Sequence, residues 1–154
     1  MTGITTGPFR PDEYAAWRDL FEGYADFYAV RLQNSVADTV WQWLHDPQHV
    51  LRGIAARDEA HRPIGLAHIR ACPRTLAGTE IGFLDDLFVI PEARGGGAAP
   101  ALFEAIADLA RTQQWSTVRW ITQHFNARGR AFYDRYTGGA SDFILYQWTP
   151  DVQT

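Results

Sequence analysis

"PEARGGGAAPALFEAIADLA", residues 91–110, joins a strand-like run to a helix-like one through three glycines, two alanines and a proline. Ahead of it, TEIGFLDDLFVI (79–90) is apolar except at its first residues and at Asp85 and Asp86. Behind it, Leu102, Ala105, Ile106 and Leu109 fall on one side of a helix. The first amides of a helix have no partner inside it, point outward together, and sit at the positive end of its dipole. Such an end takes phosphate. Glycine admits an anion without a β-carbon in the way, and Ala98 and Ala99 keep the next positions small. Pro100 lacks only an amide that the first turn does not need. Two kinds of phosphate loop drop out. A Walker loop requires a lysine and the chain has none. A dinucleotide loop requires a third glycine, and Pro100 stands in its place.

Working outward, 154 residues predict one domain, 1–154, with room for a sizeable core. Hydrophobic residues reach 46% against 21% charged, a globular rather than disordered balance. A net charge of −4 speaks against broad nucleic-acid binding. The acidic excess lies in residues 1–60, where nine carboxylates face five arginines; beyond them nine face nine. Cys72 is the only cysteine, which excludes an intrachain disulfide framework and fits a reducing cytoplasm. MTGITTGPFR lacks the apolar stretch of a signal peptide, and no apolar run is long enough for a bilayer, so a cytoplasmic chain with no membrane partner is expected.

The remaining elements follow from periodicity. Ile4–Arg10 reads as a short strand, and Pro11, Asp12 and Glu13 suit a helix start. Tyr14, Trp17, Phe21, Tyr24 and Tyr28 then form an amphipathic stripe. A second helix shows Val36, Val40 and Trp43 on one face and ends at Pro47. VLRGIAARD (50–58) and PIGLAHIRA (63–71) form a hairpin through EAHR (59–62). TVRWITQ (117–123) is a strand, NARGRAFYDRY (126–136) a short helix, and SDFILYQW (141–148) a final strand. The order βααβββαβαβ predicts a mixed α/β sheet with helices on its faces.

Arg94-x-x-Gly97-x-Ala99, with Leu87, Val89 and Pro91 in register before it, resembles the central motif of the GCN5-related N-acetyltransferase family. Two further stretches extend the likeness. In 117–138, Asn126, Gly129, Phe132 and Tyr133 resemble that family's Asn-x-x-Ala-x-x-Phe-Tyr, with Gly for Ala. FLDDLFV (83–89) is similar to the YLEDLFV of the diamine and yeast histone/polyamine-type subgroup, as are YADFY (24–28), TVWQWLHDP (39–47) and FILYQW (143–148). The resemblance implies a central, twisted, mostly antiparallel sheet with a strand splay and helices on both faces. It implies acetyl-coenzyme A as co-substrate, its pyrophosphate on the amides of Arg94, Gly95, Gly96, Gly97, Ala98 and Ala99. The pantetheine would run along Leu87, Phe88 and Val89, with an amide of Phe88 or a neighbour polarising the thioester. Asn126, Phe132 and Tyr133 would complete the cofactor side. A homodimer, with C-terminal strands exchanged, is implied as well.

Acetyl transfer to an amine requires positioning, donors at the thioester carbonyl, a base for the ammonium proton and an acid for the thiolate. Tyr133 is the candidate acid, since a phenol with a pKa of about 10 keeps its proton at neutral pH; its bland role is packing beside Phe132. Asp85 is the candidate base, acting through a water because it is one methylene shorter than the look-alikes' Glu. The competing reading is that Asp85 and Asp86 merely pair with arginines or cap a strand bulge. Glu22, Tyr24, Tyr28 and Asp85 are the candidate acceptor site, carboxylates and aromatic faces suiting an ammonium group. His45 and His49 have ligand spacing but Pro47 between them, so no metal is expected. His124 is a minor alternative base. The resulting expectation is direct transfer, in a ternary complex, to a primary amine: a small polyamine, an amino-acid-like molecule or a lysine side chain. The alternative is a non-catalytic acyl-CoA-binding regulatory module.

Overall fold

The computed structural model describes residues 3–151 and divides after Trp120 into two compact units. The first unit contains β1 (Thr5–Gly7), α1 (Tyr14–Phe27), α2 (Asn34–His45), β2 (Leu51–Arg57), β3 (Pro63–Arg74), β4 (Thr79–Val89), α3 (Ala98–Gln113) and β5 (Val118–Arg119). Single 3-10 turns at Pro11–Glu13 and Pro91–Ala93 lead toward α1 and α3. The strands form one sheet in the order β1-β2-β3-β4-β5, antiparallel throughout except for the parallel β4–β5 pair.

Successive strand residues point to opposite faces, and this decides which helix lies where. Leu66 of β3 and Phe88 of β4 are register partners and share one core cluster with Trp17 and Leu20 of α1 and Ala37 of α2. Gly65, the neighbour of Leu66, faces the other way: a β-carbon on it would stand 3.3 Å from Leu102 of α3. α1 and α2 therefore cover one face and α3 the other, the layered mixed sheet expected from the sequence.

The aromatic stripe of α1 packs as its spacing predicts, with Trp17 fully buried and its ring 5.0 Å from that of Trp41. α2 differs. Val36 and Trp43 are exposed, and Ala37, Val40, Trp41 and Leu44 turn inward. A 3.6-residue stripe can be drawn through either set, and burying Trp41 against Trp17 removes more apolar area from water than burying Val36. α2 stops at His45, just ahead of Pro47.

One buried ion pair ties β2 to the entry of α1. Arg57 donates to Glu13 through Nη2 at 2.5 Å and Nε at 3.1 Å, and to the Pro8 carbonyl at 2.8 Å. The Arg10 amide also donates to Glu13, at 2.7 Å.

β4 meets β5 only at Gly82 and Phe83. Trp115, just past the end of α3, lies against Gly82, where a β-carbon would come within 2.6 Å of the indole. Gly82→Ala must push the ring or the strand aside, and we expect a loss of about 1–3 kcal/mol in urea denaturation. From Leu84 to Val89 the outer edge of β4 has no strand beside it among the described residues. It is at this point of the strand that the resemblance implies a splay.

The second unit holds α4 (Ala127–Thr137) and an irregular C-terminal stretch. Two expectations are corrected here. TVRWITQ forms only the two-residue β5, and SDFILYQW forms no strand. Its alternation is present, but a strand also needs an edge to bond to, and Ile144, Leu145, Tyr146 and Trp148 are exposed instead.

Candidate active site

Two carboxylates in one apolar strand are costly unless each has a partner, and a bulge supplies both. His68 is opposite Asp86 and Ile69 opposite Leu84, which leaves Asp85 as the extra residue of β4. Asp85 accepts from Arg70 Nε at 2.8 Å, and that guanidinium also lies over the Phe83 ring. Asp86 turns instead to His68, its Oδ2 2.7 Å from Nδ1. Trp17 Nε1 donates to the other ring nitrogen of His68, at 2.9 Å.

α1 completes this region. The Tyr24 hydroxyl donates to the Asp85 carbonyl at 3.3 Å. Burial first, then the nearby Asp86 carboxylate, push the Tyr24 hydroxyl well above the ordinary 10.0, so it remains a donor at any physiological pH. The Tyr28 ring lies 5.0 Å from that of Tyr24. Of the expected acceptor group, Tyr24 and Asp85 thus come together, with the Tyr28 ring tilted beside Tyr24; Asp86, which the sequence reading did not include, joins them. Glu22 does not join them; it pairs with Arg18 at 3.4 Å and lines a polar cleft with Arg31 and Asn34.

Past the bulge, β4 runs on beside β3. The Ile90 amide donates to the Ile64 carbonyl. By alternation the backbone groups of Phe88 also face β3, and those of Leu87 and Val89 face the open edge. The amides left for a ligand are therefore those of Leu87 and Val89. The Phe88 ring instead packs against Gly23 of α1 and lies under the Arg94 guanidinium, 5.7 Å away.

The loop then turns through Gly95 at φ 81° and Gly97 at φ 97°, values that only glycine adopts without strain. The Gly96 amide donates to Ala93, while Ala101, the first residue able to bond back, reaches Gly97. The amides of Gly95, Gly97, Ala98 and Ala99 have no acceptor among the described residues. Arg94, next in sequence to Gly95, is held by Nε on the Val89 carbonyl at 3.2 Å, and its terminal nitrogens have no hydrogen-bond partner among the described residues. The loop is an anion cradle built of backbone, with one guanidinium at its rim.

In the second unit, Asn126 caps α4: its Oδ1 accepts from the Gly129 amide at 3.2 Å and its Nδ2 donates to Thr122 at 3.0 Å. A β-carbon on residue 129 would stand 2.4 Å from that Nδ2, which accounts for glycine where the resembling motif has alanine. Tyr133 lies half-buried on α4, its ring edge-on to Phe132 at 5.9 Å.

The open edge of β4 runs into a backbone anion cradle at a helix start, and sequence comparison says which family builds this chain's sheet and loop. The profile of the Acetyltransferase (GNAT) family matches residues 17–138. The chain belongs to this family and is an N-acetyltransferase by that membership. It is similar to the D-amino-acid N-acetyltransferase HPA3 of Saccharomyces cerevisiae, 28% identical over 145 residues, covering 94% of this chain and 89% of that protein. In fold it is similar to a possible acetyltransferase of Clostridium difficile 630 (TM-score 0.83, 14% identity, 97% and 99% covered). It is likewise similar to the aminoglycoside N-acetyltransferase AAC(6')-Iy in complex with CoA (TM-score 0.78, 14% identity, 99% and 97% covered).

His68 and Trp17 are the site neighbours that sequence reading passes over. The signal was a histidine inside the apolar run IGLAHIRA, where an unpartnered imidazole would be costly.

Proposed function

We propose that the chain transfers the acetyl group of acetyl-CoA to a cationic primary amine, directly, in a ternary complex. The observation that supports this best is the run of acceptor-free amides at Gly95, Gly97, Ala98 and Ala99 following an unpaired stretch of β4. The pyrophosphate lies on those amides and on Arg94. The pantetheine follows Leu87 and Val89 in place of a neighbouring strand. The acceptor enters beside Tyr24, Tyr28 and the bulge. Asp85 takes the ammonium proton through a water, and Tyr133 returns one to the departing thiolate. The name of the yeast relative makes free amino acids the first acceptors to try, ahead of polyamines and lysine peptides.

Titration calorimetry with acetyl-CoA, paired with a thiol-release screen over amines, tests this reading. Binding with turnover supports it. Binding without release on any amine favours the regulatory module. Gly97→Ala places a β-carbon at φ 97°, a strain of about 1–2 kcal/mol; we expect the KM for acetyl-CoA to rise about tenfold. Asp85→Asn should weaken turnover most at low pH, where the amine arrives protonated; a uniform loss across pH assigns Asp85 to binding.

The assembly we propose is a cytoplasmic homodimer in which Ile144, Leu145, Tyr146 and Trp148 find cover against a second copy. Light scattering on Leu145→Arg should show the mass of a monomer.

A further inference from the structure

The buried end of the bulge carries more than packing. Indole nitrogen only donates, so the Trp17 bond makes Nε2 of His68 an acceptor and leaves the ring proton on Nδ1, where it is donated to Asp86. Trp17 and His68 are fully buried, whereas the Asp86 side chain is 20% exposed. The hydrogen bonds therefore run from dry core to a wet carboxylate. The two acids of the bulge also differ in charge balance. Asp85 is neutralised by Arg70. Among the described residues, Asp86 faces only neutral groups: His68 from β3, and Tyr24 from α1 with the Tyr28 ring tilted beside it. A carboxylate with no cation, beside two aromatic rings, suits an ammonium group.

We propose that His68 is a positioning residue of the acceptor site: clamped by Trp17, it fixes Asp86 as the anion that receives the acceptor's ammonium. This rests on the acetyltransferase reading above.

The test uses the full chain and the best amine found by the screen on the unaltered protein. Asp86→Asn and His68→Leu should each raise the KM for the amine about tenfold or more, with the KM for acetyl-CoA unchanged. His68→Gln can still accept from Trp17 and donate to Asp86, and should recover all but about threefold of that loss. Nitrogen-15 NMR of the imidazole at neutral pH should find the proton on Nδ1 and Nε2 bare. An unchanged amine KM in folded His68→Leu overturns the proposal, as do equal losses in the Leu and Gln variants or a proton on Nε2. Should His68→Leu not fold, the imidazole spectrum and Asp86→Asn decide, an unchanged amine KM in the latter being fatal. A protein that releases no thiol with any amine refutes the acetyltransferase reading itself. An active protein indifferent to His68 refutes only the positioning role.

Discussion

Tyr133→Phe should lower kcat about a hundredfold and leave acetyl-CoA affinity near its original value. The substitution removes one oxygen from a half-buried ring and keeps the ring itself, so its edge-on contact with Phe132 at 5.9 Å survives. α4 also survives, because its start is held by the Asn126 cap and the Tyr133 carbonyl still accepts from Thr137. What is lost under the proposed mechanism is the proton for the thiolate. A phenol suits that role, because its ordinary pKa of about 10 keeps it protonated at any pH the cell offers. Stopped-flow thiol release beside acetyl-CoA calorimetry checks both halves. Unchanged turnover removes Tyr133 from the mechanism; weakened binding with unchanged kcat makes it a wall of the cofactor site.

Glu13→Gln should cost about 3 kcal/mol, a fall in Tm of roughly 10 °C. The reason is the company Glu13 keeps. Arg57 donates twice to it from a site as buried as its own, and a glutamine would leave that guanidinium without a counter-charge. The pH dependence has a definite sign. Burial alone would raise the Glu13 carboxyl, but the Arg57 hydrogen bonds, the Arg10 amide and both positive charges outweigh it, and the group is held below its ordinary 4.5. A group depressed on folding stabilises fully above its unfolded value, and the contribution disappears as pH falls through the folded one. Thermal melts should therefore show the intact protein losing stability below about pH 4.5 more steeply than Glu13→Gln does. Parallel curves would mean that the pair contributes no linkage.

The fold was legible wherever burial repeats along the chain. The hairpin of β2 and β3, the long β4 and the helix behind the glycines all follow from their apolar runs and stripes. α2 shows the limit of that signal. Two stripes compete on it, and the contact of Trp41 with Trp17 on the preceding helix chose between them. The bulge was legible as a problem, two acids in an apolar strand, but not as a solution. Its partners lie far off in sequence: 15 residues between Arg70 and Asp85, and 51 between Trp17 and His68. No local period encodes such pairings. The C-terminal alternation failed for a related reason, since a strand is a property of two segments and only one of them was in view.

The bare flank of β4 has a consequence for the protein between turnovers. Donors and acceptors along a naked β-edge invite any passing extended chain to dock by main-chain pairing. Coenzyme A carries amides of its own, so a cofactor bound along β4 as proposed would double as a sheath for that flank. Cells that keep the thioester abundant would thereby keep this enzyme dispersed, and depletion would leave it prone to sticking to itself.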